Sequence, residues 1–291
     1  MKKTLLILLI ILLFCTGCSR TSQTYDVVAT TLPVYEFTSA VCKGTPLTVD
    51  RLITENVSCL HDYSLQVSQM QAIESAEVVV ISGAGLEDFL QDALQNVPYV
   101  IDCSTNTHIH STDHHHDETA HHDHNHDYDP HIWLSPENAA EMVENICHGL
   151  EEHYPQYSNV FQSNTREIIQ QLADLQAYGE SQLSDLTCRE LITFHDGFAY
   201  FAESFNLTIL EAVEEEAGSE ASAAEIIHLI NLVANHELPA VFTEKSGSDA
   251  CAGIISAETG AEVYMLDMAM AGNSYFKSMY HNIDTIKEAL G

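Results

Sequence analysis

The chain has 291 residues, 45% of them hydrophobic, and its 43 acidic residues against 10 basic ones give a formal charge of −33 at pH 7. A surface of that sign repels nucleic acid and anionic lipid and favours cations, which excludes the polyanion-binding classes. The length suggests two domains rather than one, and the apolar content can fill two cores.

The N-terminus reads Met1-Lys2-Lys3, then an apolar run from Leu5 to Phe14, then Cys15-Thr16-Gly17-Cys18. Such a run is shorter than the about 20 residues that span a bilayer, and a basic start before it is the pattern of a secretory signal. Residues 1–17 are therefore expected to be a signal peptide, and the rest to be extracytoplasmic. Gly17-Cys18 behind Thr16 is similar to the lipoprotein cleavage box, in which the cysteine is lipidated and becomes the first mature residue. Cys15 departs from the leucine usual there, and an ordinary cleaved signal or an uncleaved anchor is the alternative. Residues 18–24 read as a tether. Without residues 1–17 the charge is 8 minus 43, or −35.

Short apolar runs then alternate with helical patterns. Strands are expected at Val27 to Thr30, Leu47 to Ile53, Val78 to Ser82 and Tyr99 to Asp102. A second set follows at Leu191 to Phe194, Leu207 to Leu210, Ala240 to Thr243 and Glu262 to Leu266. Helical stretches between them are what parallel βα units require. The fold class is thus α/β, with two similar lobes, 25–154 and 187–291, each a mostly parallel four-stranded sheet with helices. Between the lobes, residues 155–186 carry one apolar stripe (Ile168, Leu172, Leu175, Leu183, Leu186), which predicts a single long helix acting as a stiff strut. A coiled-coil dimer seam is the alternative; a monomer is expected. Six cysteines, Cys42, Cys59, Cys103, Cys147, Cys188 and Cys251, permit disulfides outside the cell, but their pairing is not readable from sequence.

Two features point to metal. Nine of the 17 histidines fall between His108 and His126: His108, His110, His114, His115, His116, His121, His122, His124 and His126. They sit among Asp, Glu, Thr and Asn at irregular spacing, so no apolar face fixes the segment in one conformation, and weak accessory binding of several ions is expected. A merely solvated polar loop is the alternative. Separately, His61, His131 and His195 each follow a predicted strand or open a loop, and Asp267 has the same placement after the last strand. Ligands collect beyond the carboxyl ends of parallel strands, so these four can converge in one crevice, two from each lobe. Three imidazoles and a carboxylate suit four-coordinate zinc. His148, His153, His228, His236 and His281 lie in helical patterns among polar neighbours and read as surface residues.

Several segments resemble one family over nearly all of the chain beyond the signal. Asp129-Pro130-His131-Ile132-Trp133-Leu134-Ser135-Pro136-Glu137-Asn138-Ala139 is similar to D-P-H-x-W-L-D-P-x-N-A, with Ser135 in place of the usual Asp. Phe194-His195-Asp196-Gly197-Phe198-Ala199-Tyr200-Phe201 is similar to F-H-x-A-F-x-Y-F, with Gly197 in place of alanine. Phe242-Thr243-Glu244, Glu258-Thr259-Gly260-Ala261, Leu266-Asp267 and Ala84-Gly85-Leu86-Glu87 look like further landmarks. The family is that of the zinc (ZnuA-type) and manganese (TroA-like) receptors of ABC transporters and related lipoprotein adhesins. Around the first histidine it usually carries G-x-D-P-H-x-Y-E-P, whereas here the residues are Val57-Ser58-Cys59-Leu60-His61-Asp62-Tyr63-Ser64-Leu65. His61 and Tyr63 survive; the acid and proline do not. Cys59 is open to two readings, a disulfide with Cys103 or a reserve thiolate.

The resemblance implies capture of Zn2+, with Mn2+ as the alternative, and delivery to a permease and its ATPase from a lipid anchor at Cys18. A zinc hydrolase is the rival from another class; it needs an open metal position and a general base, and no H-E-x-x-H is present. An adhesin with incidental metal is the second rival.

Overall fold

The computed structural model describes residues 25–55, 60, 63–110, 128–213, 221–245 and 250–291; the signal segment, Cys18 and the tether to residue 24 lie outside them. One sheet joins β1 (Val27–Ala29), β2 (Val49–Arg51), β3 (Val78–Ile81) and β4 (Tyr99–Asp102) in the order β2-β1-β3-β4. The other joins β5 (Glu190–Thr193), β6 (Thr208–Ala212), β7 (Ala240–Glu244) and β8 (Glu262–Leu266) in the order β6-β5-β7-β8. Every pairing in both is parallel. The expected strands are all present, and the two lobes share one winding order. The runs Val27-Val28-Ala29 and Val78-Val79-Val80 are buried throughout, as inner strands of a parallel sheet covered on both faces must be.

The helices are α1 (Leu32–Val41), α2 (Val67–Ser75), α3 (Gln91–Leu94), α4 (Pro136–His153), α5 (Ser158–Gln182), α6 (Ala199–Ser204), α7 (Ala223–His236), α8 (Ala250–Thr259) and α9 (Tyr275–Leu290). The long helix α5 buries Phe161, Thr165, Ile168, Leu172, Leu175 and Gly179, one stripe at three- and four-residue steps. Its 25 residues span about 38 Å at the standard rise. Near its start, Asn164 Nδ2 donates to the Val41 and Lys43 carbonyls at 2.8 and 2.7 Å. Near its end, Gly179 lies so close to Phe205 that a Cβ there would sit 2.2 Å from the ring. The helix is shorter than residues 155–186 predict. Pro155–Tyr157 forms a 3-10 turn, and beyond Gln182 the Arg189 guanidinium takes the Leu183 and Ser184 carbonyls at 2.6 and 3.0 Å, satisfying the end of the helix. Helices α1, α4 and α9 pack along α5, so its stripe is covered within the chain and a coiled-coil seam has no apolar face to use.

The cores do not divide as the lobes do. One cluster runs from β1 and β3 through α4 and α5 to Phe198, Phe201, Phe242, Met268 and α9. A smaller one, with Ile192, Phe194, Val241, Leu229 and Ile255, fills only the outer side of the C-terminal lobe. Trp133, fully buried, bolts the lobes together: its Nε1 donates to the Met268 carbonyl at 2.8 Å, and its own carbonyl accepts from the Tyr275 hydroxyl at 2.8 Å. Ser274 Oγ donates to Glu36 and Arg51 Nη1 to the Gly272 carbonyl at the same junction. Cys42, Cys103, Cys147 and Cys188 are free thiols. Cys103 is wholly buried and serves as a small core residue, its thiol pushed well up by burial. Cys59 lies outside the described residues.

At the crevice of the first sheet, where β1 and β3 diverge in winding, a buried acid takes the place of a ligand. Glu87 accepts from Thr30 Oγ1 at 2.6 Å and from the backbone N–H groups of Ser82 and Gly83 at 2.7 and 3.0 Å. Burial pushes its carboxyl up to about 7, against the pull of these donors. A folded-state value above that of the unfolded chain means that folded protein holds a proton the unfolded chain releases, so stability falls as pH rises from the ordinary carboxylate range through about 7. In Glu87→Gln, urea unfolding should lose up to about 1.4 kcal/mol per pH unit of that slope, whatever the change in absolute stability. An unchanged slope would assign the proton elsewhere.

Candidate metal centre

His131 sits where the chain stops running along the lobes and turns inward. It precedes a 3-10 turn, Ile132–Leu134, and Ser135 then caps α4 by accepting from the Asn138 N–H at 3.3 Å. Serine caps a helix as well as the aspartate it replaces. Two residues before the histidine, Asp129 Oδ1 accepts from His131 N at 2.9 Å and from His131 Nδ1 at 2.7 Å. His195 leaves the end of β5, and its Nδ1 lies 3.3 Å from Glu244 Oε2 at the end of β7. The two Nε2 atoms meet: His195 Nε2 and His131 Nε2 are 3.4 Å apart.

The partners settle the tautomers. A carboxylate on each Nδ1 holds the proton there and leaves each Nε2 with a lone pair. Two Nε2 lone pairs converging in this way offer two donors to one cation. A tetrahedral zinc with nitrogens at about 2.0 to 2.1 Å separates two of its ligands by about 3.3 Å, and the observed spacing matches. Burial acts to raise the Asp129 carboxyl, but the His131 ring and backbone N–H outweigh it and hold Asp129 below its ordinary value. Burial pushes Glu244 up to about 7, with His131 opposing and Asp267 adding to the rise.

Gly197, where the resemblance leads to alanine, lies against the pair. A Cβ there would come within 2.6 Å of Met268 Cε, 2.8 Å of His195 Cδ2 and 3.0 Å of His131 Nδ1. Asp267 is buried after β8, with Ala269 N donating to its Oδ1 at 2.8 Å and Lys245 Nζ standing 3.2 Å from its Oδ2. It faces a lysine rather than the imidazoles. His61 lies outside the described residues. Its neighbour Tyr63 does not: the hydroxyl donates to Glu55 at 2.9 Å and accepts from Gln69 Nε2 at 2.6 Å.

Of the histidine-rich segment, His108 and His110 are described, and both face Glu203 of α6. His114, His115, His116, His121, His122, His124 and His126 lie outside the described residues. His148, His228, His236 and His281 are exposed and His153 is half-buried. The orienting roles of Asp129 and Glu244 were not read from sequence, though the two-residue step from Asp129 to His131 is a legible sign of a carboxylate held under an imidazole. Glu203 carries no such sign, being 93 residues from His110.

The zinc-binding lipoprotein AdcA of Streptococcus pneumoniae strain R6 is 29% identical over an alignment that covers 99% of this chain and 61% of that protein. The chain thus spans about three fifths of the length of that relative. Among solved structures, a crystal structure of ZnuA is 26% identical with a TM-score of 0.79, covering 92% of this chain and 99% of that one. The Zn(II)-bound ZnuA-like domain of S. pneumoniae AdcA is 25% identical with a TM-score of 0.76, covering 92% and 99%. Residues 27–289 match the family described as zinc-uptake complex component A, periplasmic, and the chain belongs to that family.

Proposed function

We propose that the chain is an extracytoplasmic receptor that captures Zn2+ between its lobes and hands it to an ABC permease and its ATPase. The observation that carries this reading is the pair of imidazoles from opposite lobes, each held at Nδ1 by a buried carboxylate, with their Nε2 atoms 3.4 Å apart. The naming of AdcA as zinc-binding supports the same cargo. In this reading His61 and Asp267 complete the ligand set, lobes 25–154 and 187–291 each supply two donors, and segment 155–186 holds them apart. Asp267 joins by exchanging Lys245 for the ion. A lipid on Cys18 keeps the receptor, a monomer, at the membrane, and the remaining histidines of the 108–126 segment gather further zinc.

Zinc is favoured over manganese by the nitrogen donors. A second carboxylate ligand would favour manganese, but Glu244 stands at His195 Nδ1 and serves as an orienting partner. A hydrolase needs a base free to act on metal-bound water, and both buried acids next to the imidazoles are occupied in orienting them.

His131→Ala and His195→Ala should each weaken zinc binding at least about tenfold, or about 1.4 kcal/mol, in competition with a chelator of known affinity. Asp129→Asn keeps both ligands but replaces the charged acceptor on His131 Nδ1 with a neutral amide, and should cost about 10- to 100-fold with the stoichiometry unchanged. Parent-like titration of both histidine variants would overturn the site. Equimolar Mn2+ should leave stoichiometric zinc in place, and zinc affinity should fall as pH is lowered, because protons compete for the imidazole nitrogens. Displacement by manganese, or hydrolysis of ester, peptide or phosphate by the purified protein, would refute the reading.

A further inference from the structure

Lys245 is one of ten basic residues in a chain with 43 acidic ones, and the fold puts its charge on the carboxylate that the receptor reading gives to the cleft. Strands β7 and β8 run in parallel register with Glu244 opposite Leu266, so the next residue of each, Lys245 and Asp267, leave the sheet side by side. The Lys245 N–H donates to the Leu266 carbonyl at 3.0 Å, and its Nζ donates to Asp267 Oδ2 at 3.2 Å. The imidazole pair is close by. Met268, next after Asp267, brings its Cε to the same space beside Gly197 that His195 Cδ2 and His131 Nδ1 border. The Asp267 charge also acts on Glu244, the acid that stands at His195 Nδ1.

The fold holds Asp267 without the lysine. Asn282, wholly buried, takes both backbone groups: its Oδ1 accepts from the Asp267 N–H at 2.8 Å and its Nδ2 donates to the Asp267 carbonyl at 2.7 Å. Ala269 N donates to Asp267 Oδ1 at 2.8 Å, and Trp133 fixes the Met268 carbonyl that follows. Oδ2 is the atom left over, and the ammonium sits on it. The lysine side chain is 58% exposed against 10% for the acid, so a fixed, buried carboxylate is paired with a cation on a flexible four-carbon stem. An ion pair at such a rim adds little to stability. A zinc ion bonded to Oδ2 at about 2.0 to 2.2 Å and an ammonium at 3.2 Å from it would put two cations on one oxygen, and their repulsion makes the two exclusive.

We propose, on the receptor reading with Asp267 as a ligand, that Lys245 is a tethered competitor for the metal: its ammonium and zinc alternate on Asp267, and displacing the ammonium holds the affinity of the cleft below what the ligands alone would give. The lysine neutralises Asp267 beside Glu244 whenever zinc is elsewhere. Being part of the chain, it also stands ready at the ligand as the metal leaves, so release needs no counter-ion from solution.

The test is zinc affinity of the full chain, measured by competition with a chelator of known affinity. Lys245→Met, which keeps the length of the side chain and removes its charge, should bind zinc about three- to tenfold more tightly than the parent. Lys245→Arg, which keeps the charge, should show no gain. Loss of any positive charge near a cation site raises affinity by itself, so Asp267→Asn supplies a second background. It should weaken zinc binding at least about tenfold, and adding Lys245→Met to it should change affinity less than about twofold, because the ammonium then has no carboxylate to contest. An equal gain in both backgrounds, no gain in Lys245→Met, or weaker binding in both Lys245→Met and Lys245→Gln would overturn the proposal. If Asp267→Asn titrates like the parent, Asp267 is not a ligand, and the proposal falls while the imidazole pair stands. Absence of tight zinc binding in the parent sinks the receptor reading and this proposal with it.

Discussion

The architecture turns on a chain of four polar side chains that crosses from one lobe to the other: Asp129, His131, His195 and Glu244. Each imidazole is buried or half-buried and gives its proton to an acid, so that two lone pairs are aimed at one point. Imidazoles held this way bring their Nε2 atoms to 3.4 Å, the spacing of two donors on one tetrahedral ion. The ordering cost has been met by folding, through the 3-10 turn after His131 and the end of β5 before His195, which is why ligands at strand ends outcompete ligands in an unstructured stretch.

The common core limits how such a site can load. A hinge motion separating the lobes would expose the apolar surface around Phe198, Met268 and Tyr275 and would strand the Trp133 indole and the Tyr275 hydroxyl without partners. Each buried polar group left unpaired costs about 1 to 3 kcal/mol. Exchange of Lys245 for metal at Asp267 carries no such penalty, since the lysine is more than half exposed. Ion entry and release by local rearrangement is therefore the less costly path, and α5, gripped at both ends, keeps the lobe spacing that sets the distance between the two imidazoles. The first sheet uses the same topological position differently, filling its crevice with the hydrogen-bonded Glu87.

The strands were legible because runs such as Val78-Val79-Val80 and Leu191-Ile192 have no other reading between turn residues, and their alternation with helical patterns fixed the parallel topology. His131, His195 and Asp267 were legible as polar residues directly following or flanking such runs. What escaped was everything set by tertiary contact. The end of α5 at Gln182 depends on Arg189 reaching back to two carbonyls, and no propensity encodes that. The merging of the cores depends on Trp133 and α9 meeting across the junction. Asp267 was placed correctly after β8, but its engagement with Lys245 arises because β7 and β8 are neighbours, which strand order alone decides.

Charge completes the account of selection. The formal charge of −33 draws any cation toward the surface, yet at physiological ionic strength such attraction fades over about 8 Å and does not distinguish one divalent ion from another. Discrimination must come from donor type. Surface carboxylates hold hard ions loosely and release them; imidazoles favour zinc over manganese and magnesium. Asp129 ties the imidazole of His131 to its surroundings, its N–H donating to the His110 carbonyl and its carbonyl accepting from the Tyr200 hydroxyl, while its carboxylate holds His131. One short stretch of backbone thus fixes His110 and His131 relative to each other, so the placement of the imidazole that discriminates among cations is set by the fold.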